Sequence, residues 1–297
     1  EGAVSPSTPH GRFLTDAALH GLLTRAPRLS SRHVAVSLLV VGFFGPTPAA
    51  AHDSWLVAGK NLAALNDSVR LAFVTAEVFP IGEQAAKPER VAEWVIAQGE
   101  QKKKVEGYSV EGNELAASVK FDQPGFHVVG VAMRASFIEL SAKDFAEYLE
   151  DEKATAALAA HRRGPGDQPG REFYTKFAKT FVEVTGDAPE AKYTKPIGQK
   201  LEIVPLSNPC RWKVGDNVKV RALLDGQPAS GLRISSGHEG LGPHTYVEHA
   251  TTDIDGAARF TLSRPGLWFL RTHTIRTLRE QPAYAPPDAP KADWESF

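Results

Sequence analysis

From Asp67 onward, apolar residues alternate with polar ones. Val69, Leu71 and Phe73 lie on one side of a strand, with Arg70 between them, as expected for a half-buried strand. Similar runs follow at Val91–Ile96, Leu115–Phe121 and Phe126–Ala132, with Gly- and Asn-containing turns between them. Together they predict a small antiparallel β domain over residues 52–138.

The pattern then changes. Ser141 and Asp144 precede a run of helix formers, and a hydroxyl with an acid three positions later caps free helix-start amides. The expected helix runs from Ala142 to Arg162. A Gly/Pro loop, Gly164–Gly170, separates it from Arg171–Val184, where Phe173, Phe177 and Phe181 recur every four residues. That stripe reads as a second helix facing a core, giving a helical insertion and linker over residues 139–195.

Short strands return over residues 196–297. They are expected at Lys200–Val204, Asn217–Leu224, Leu232–Ser235, Tyr246–Thr251, Ala257–Leu262 and Leu267–Thr274. Asp225–Gly226 marks a tight hairpin, and Asp253–Gly256 a turn. The fold class read from this pattern is mainly β: two antiparallel β-sandwich domains, immunoglobulin- or transthyretin-like, flanking a helical insertion.

The first 51 residues belong to neither domain. Ser30–His33 is weakly basic, Val34–Phe44 is apolar, Gly45–Pro48 breaks any helix, and Ala49–Ala51 supplies small residues. This is the layout of a cleaved export signal, and the apolar run falls short of the roughly 20 residues of a membrane span. A cut after Ala51 makes His52 the first residue of a periplasmic protein that does not itself span the membrane.

Composition excludes some partners. A net charge of −1 over 297 residues argues against a nucleic-acid binder. The basic run Lys102–Lys104, beside Gly99, is expected at a hairpin tip. Cys210 is the single cysteine, which rules out an intrachain disulfide and reads as a buried, inert thiol.

No nucleophile elbow, phosphate loop or dinucleotide glycine motif occurs, so no enzyme activity is expected. His238–Gly242 begins like a zinc-protease motif, but Gly242 stands where its second histidine belongs. His238, His244 and His249 match no standard ligand spacing. An N-terminal His52 is different, because its α-amine and ring Nδ1 can chelate one ion, and nickel, cobalt and copper accept such nitrogen donors. His127 and His273, on predicted strands of the two β regions, are the candidate further ligands.

Several segments resemble the domain of unknown function 4198 family. They are A-H-D-S-W-L at Ala51, Phe79–Pro80, K-F-A-K-T at Lys176, G-Q-K-L-E-I-V-P-L-S-N-P at Gly198, L-L-D-G-Q-P at Leu223, T-D-I-D-G at Thr252, R-P-G-L-W-F-L-R-T-H at Arg264 and D-W-E-S-F at Asp293. Members are exported bacterial proteins often described as periplasmic components of cobalt or nickel uptake transporters. The resemblance implies His52 and Asp53 as the mature start, His273 as a matching position, and a membrane metal transporter as partner. The competing expectation is a metal-free adhesion or scaffolding module of the periplasm or cell envelope.

Overall fold

The computed structural model describes residues 52–188, 192–278 and 290–297; the expected leader lies outside them. The described chain is mainly β, built of five sheets whose strands pair mostly antiparallel. None of its helices is long and apolar enough to cross a membrane.

The first sheet orders the strands Asp53–Ala58, Ser68–Ala76, Glu114–Lys120 and Ser109–Glu111. A five-stranded sheet orders Leu62–Ala63, Phe177–Val184, Gly125–Met133, Val91–Gln98 and Gln101–Lys104. Leu56, Leu71, Phe73 and Leu115 of the first sheet share a core with Trp94, Val129, Val131 and Val182 of the second. Each such side chain stabilises the fold by about 1.5–3 kcal/mol when fully buried. Lys102–Lys104 does not form the hairpin tip: it is an outer strand paired with Val95–Ala97, and the Lys102 ammonium donates to the Ile197 carbonyl.

The expected second helix is absent. Gly170–Tyr174 and Phe177–Val184 are strands, and the latter joins the five-stranded sheet, with Val182 opposite His127. A spacing of four fits a strand as well as a helix, since four is a multiple of two. Its buried positions, Ala178, Thr180, Val182 and Val184, alternate strictly with Phe177, Lys179, Phe181 and Glu183.

The first helix forms but is split. Ser141 Oγ accepts from the Asp144 amide at 3.1 Å, capping Ala142–Asp151. Lys153 then takes a positive φ of 57°, and Thr155–Arg162 continues as a separate helix. Phe145, Leu149 and Ala157 pack with Trp294, beside a sheet of Ile275–Thr277, Trp294–Ser296, Gly170–Tyr174 and Ser136–Leu140. Gly170 lets helix and sheet approach closely, because a Cβ there would sit 2.0 Å from the Phe145 ring.

The last region follows the expected pattern. Asn217–Leu224 pairs with Leu201–Pro205 and Ala257–Thr261, while Arg233–His238 lies between Glu248–Thr251 and Trp268–Thr272. Val218, Val220, Ile234 and Phe260 form their shared core. The Asp225–Gly226 hairpin turns with both residues at positive φ, and Leu224 pairs with Gln227 across it. At Asp253, the carboxylate accepts from the Asp255 and Ala257 amides, closing the expected turn.

Candidate functional site

His52 immediately precedes the first strand, which pairs Asp53 with Ala76. The chain beyond Ala76 turns back through Gly82, where Glu83 N–H donates to the Thr75 carbonyl. This places the Glu83 carboxylate beside the His52 ring, with Nδ1 to Oε2 at 3.6 Å. The Nδ1 atom is out of contact with solvent and has no hydrogen-bond partner. Both side chains remain over one-third exposed as a pair, 34% for His52 and 41% for Glu83. Glu83 Oε1 accepts from the Glu77 amide, so the carboxylate is oriented by backbone.

The spacing has a chemical meaning. At 3.6 Å the two atoms are too far apart for a hydrogen bond. Two donors each about 2.1 Å from one metal ion would stand 3.6 Å apart at an angle of about 120°. Among the described residues no three His, Cys, Asp or Glu side chains form a ready-made metal cage.

Two neighbours hold the chain at this position, one through backbone and one through the Asp53 side chain. The Lys176 ammonium donates to the His52 carbonyl; burial brings its pKa down to about 8, with Arg271 and Arg90 pressing the same way and Asp53 opposing. Asp53 accepts from Arg271 Nε at 2.5 Å.

His273 lies at the other end of that contact. Arg271 also donates twice to Glu152, at 3.0 and 2.6 Å, and Glu152 Oε2 is 3.6 Å from His273 Nδ1. His273 Nε2 meets the Tyr148 hydroxyl at 3.0 Å. Burial holds the ring's pKa below its ordinary value despite the Glu152 charge. Burial opposes the charge on Arg271, but its bonds to Glu152 and the Asp53 charge outweigh this and raise its pKa. A cation binding Glu152 would have to displace or face that guanidinium. His273 is thus a neutral member of an ion-pair cluster joining the first strand to Trp268–Thr272.

His127 is remote from both. Its strand ends at Met133, whose amide donates to the Lys176 carbonyl, and His127 stands six residues back, about 20 Å away along a strand. It is 5% exposed. The ring meets the edge of Phe121, and Nε2 donates to the Gln123 carbonyl at 2.9 Å. Burial lowers its pKa against the Gln123 bond and the Asp122 charge. The structure therefore brings His273 near the first strand through Arg271 and leaves His127 in the core.

Other described histidines lie away from this pair. His238 Nδ1 donates to the Glu239 carbonyl and its ring meets Trp268. His249 Nδ1 bonds Ser235 Oγ at 2.8 Å. His238 and His244 line a small cleft with Asp53, Glu77 and Tyr246. Cys210 is half-buried, and burial pushes its thiol up to about 12, which keeps it protonated and unreactive.

Sequence reasoning missed Glu83, Glu152, Arg271, Tyr148 and Lys176. The route to Glu83 runs through the first-strand register, which sets Asp53 against Ala76.

Among solved structures, the D0-D1 domain of intimin aligns over 81% of this chain and 94% of its own, at 13% identity and a TM-score of 0.21. Native alpha-2-macroglobulin from Escherichia coli, spanning domains MG0-NIE-MG1, aligns over 73% and 94%, at 10% identity and a TM-score of 0.18. Likeness this low carries no weight for function. No curated protein matches the chain. The family described as Domain of unknown function (DUF4198) matches residues 49–276, three-quarters of the sequence, and the chain belongs to that family.

Proposed function

We propose that this chain, cut before His52 and exported to the periplasm, is a non-enzymatic protein that binds one nickel, cobalt or copper ion. It presents that ion to a membrane metal transporter. In this reading the two main β regions are sandwiches, and the first of them holds the mature N-terminus rigidly enough to serve as a ligand.

The observation that supports it is the bare Nδ1 of His52, 3.6 Å from Glu83 Oε2. Nδ1 is the ring nitrogen that can close a chelate with the residue's own amine. Nickel, cobalt and copper favour such nitrogen donors, and the carboxylate neutralises part of the charge. The His52 amine, its Nδ1 and Glu83 are the proposed ligands; His127 and His273 are not among them. Lys176 holds the His52 carbonyl and Arg271 the Asp53 carboxylate, anchoring the chain beside the amine.

Exported protein, its first residue checked by N-terminal sequencing, tests the proposal by metal titration. It should take up one ion per chain; His52→Ala or acetylation of the amine should weaken binding by at least about 100-fold, and Glu83→Gln by about 10-fold. Equal affinity in all four would refute it.

A further inference from the structure

The far end of the ion-pair cluster holds one hydroxyl with two acceptors, His273 and Glu172, and the Ser296 hydroxyl beside it. Tyr148, on the helix Ala142–Asp151, places its hydroxyl 3.0 Å from His273 Nε2 and 3.3 Å from Glu172 Oε1. A phenol has one proton and can donate to only one of them at a time. Glu172 is 1% exposed. Its Oε1 also accepts from Ser296 Oγ, while its Oε2 has no partner. On the opposite side of the imidazole, His273 Nδ1 makes no hydrogen bond and faces Glu152 Oε2 at 3.6 Å.

We propose that Tyr148 is a two-position hydroxyl switch: its direction follows the protonation of Glu172 and sets the tautomer of His273. It thereby couples the strand Trp294–Ser296 to the Arg271 contact with Asp53. The proposal does not depend on metal binding at His52.

With Glu172 protonated, Tyr148 donates to His273 Nε2, the shorter of its two contacts. The ring hydrogen then sits on Nδ1 and points at Glu152. When Glu172 gives its proton to water, the buried carboxylate draws a second donor besides Ser296, and Tyr148 turns its O–H toward it. His273 now donates from Nε2 to the Tyr148 oxygen, its ring hydrogen having exchanged from Nδ1 by way of solvent. One proton leaves the protein, and only O–H and N–H bonds have changed. The Nδ1 lone pair now faces the Glu152 carboxylate, which loses a facing N–H and leans more heavily on Arg271.

The surrounding charges favour this route. Glu172 is faced by Tyr148 and Glu152 at the helix and by Ser296 from the last strand. His273 is faced by Tyr148, Glu152, Arg271 and Asp53. His244 and Tyr246 add their influence at Glu152 and Arg271, and Lys176 adds its charge near Asp53. Burial raises Glu172 to about 7, against the Ser296 and Tyr148 bonds and with help from the Glu152 charge. The same burial keeps His273 neutral. A proton moved from Glu172 onto His273 would create an imidazolium beside Arg271, so a change of tautomer is the cheaper response.

Nitrogen-15 labelling of histidine in the full chain reads the ring directly, since long-range proton–nitrogen spectra show which nitrogen carries hydrogen. Across about pH 5.5 to about 8.5, which brackets the reference histidine value, His273 should pass from Nδ1–H to Nε2–H with a midpoint near neutrality. Infrared spectra should show a buried carboxylic acid band disappearing with the same midpoint. Tyr148→Phe should abolish the tautomer change, as should Glu172→Gln. A fixed tautomer in the wild-type chain overturns the proposal, as does a change that persists in either variant. If neither variant folds, absence of the infrared band in the wild type overturns it alone.

Discussion

Two histidines in this protein stand in the same relation to a glutamate, and their surroundings assign them different work. His52 Nδ1 and His273 Nδ1 each lie 3.6 Å from a carboxylate oxygen, of Glu83 and Glu152 respectively. At Glu152 a guanidinium already occupies the carboxylate through two hydrogen bonds, and the imidazole is locked to Tyr148. At Glu83 no such cation intervenes: the remaining oxygen is held by a backbone amide, and Lys176 reaches the His52 carbonyl rather than the carboxylate. A distance alone does not make a ligand pair; what decides is whether positive charge has already been supplied.

The sharpest way to break the comparison is to remove that charge. Arg271→Met strips Asp53 and Glu152 of their shared guanidinium; breaking a fully buried pair costs about 3–5 kcal/mol, and this part-buried one should approach the lower figure. Urea unfolding should register the whole loss; a change below about 1 kcal/mol would mean that the cluster is solvated.

A second difference appears with pH. Glu172 has a folded pKa near 7, raised from 4.5. The folded carboxyl keeps its proton where the unfolded one has lost it, so its contribution is fully present below about 4.5 and is lost as pH rises to about 7. His273 is shifted down from 6.5, so its contribution is present above that value and is lost as pH falls. The two slopes oppose each other in the acid range. Glu172→Gln removes one of them, and its stability relative to wild type should rise by about 3 kcal/mol between pH 4.5 and 7. Chemical denaturation at several pH values checks this, and parallel stability curves for the two proteins would contradict it.

Metal affinity separates the pairs next. His52→Ala should lose at least about 100-fold in nickel or copper affinity, while His273→Gln should bind as wild type does. Calorimetric titration distinguishes them, and a loss in His273→Gln equal to that in His52→Ala would place the metal in the cluster. The smallest effect is expected of Glu83→Gln on stability: the group is exposed, and its melting curve should move by no more than about 0.5 kcal/mol. A large destabilisation there would make Glu83 a structural residue like Glu152.

How far the sequence revealed these features depended on whether the signal was local. Alternation marked the β class and the last region's strands, and Ser141 with Asp144 marked the helix start, because period and capping act over a few residues. Phe173, Phe177 and Phe181 misled because a spacing of four satisfies both helix and strand; the strict alternation of Ala178, Thr180, Val182 and Val184 was the better guide. The helix break at Lys153 had no such sign, since a left-handed lysine carries no composition cue. His127 was read as a candidate ligand, although its shared face with Val129 and Val131 made its burial legible. Its distance from His52 was not legible, because that depends on which end of the strand meets Lys176. Glu83 stayed hidden because its approach to His52 needs both the register of the first two strands and the turn through Gly82.

The central claim, that the His52 pair rather than the His273 pair holds a metal ion, is tested most directly by an anomalous-scattering crystal structure of the exported protein loaded with nickel. The account predicts one peak about 2.1 Å from the His52 amine, its Nδ1 and a Glu83 oxygen, with Arg271 still on Glu152. A peak at His273 or His127, or no ordered peak in protein whose first residue is His52, would contradict it.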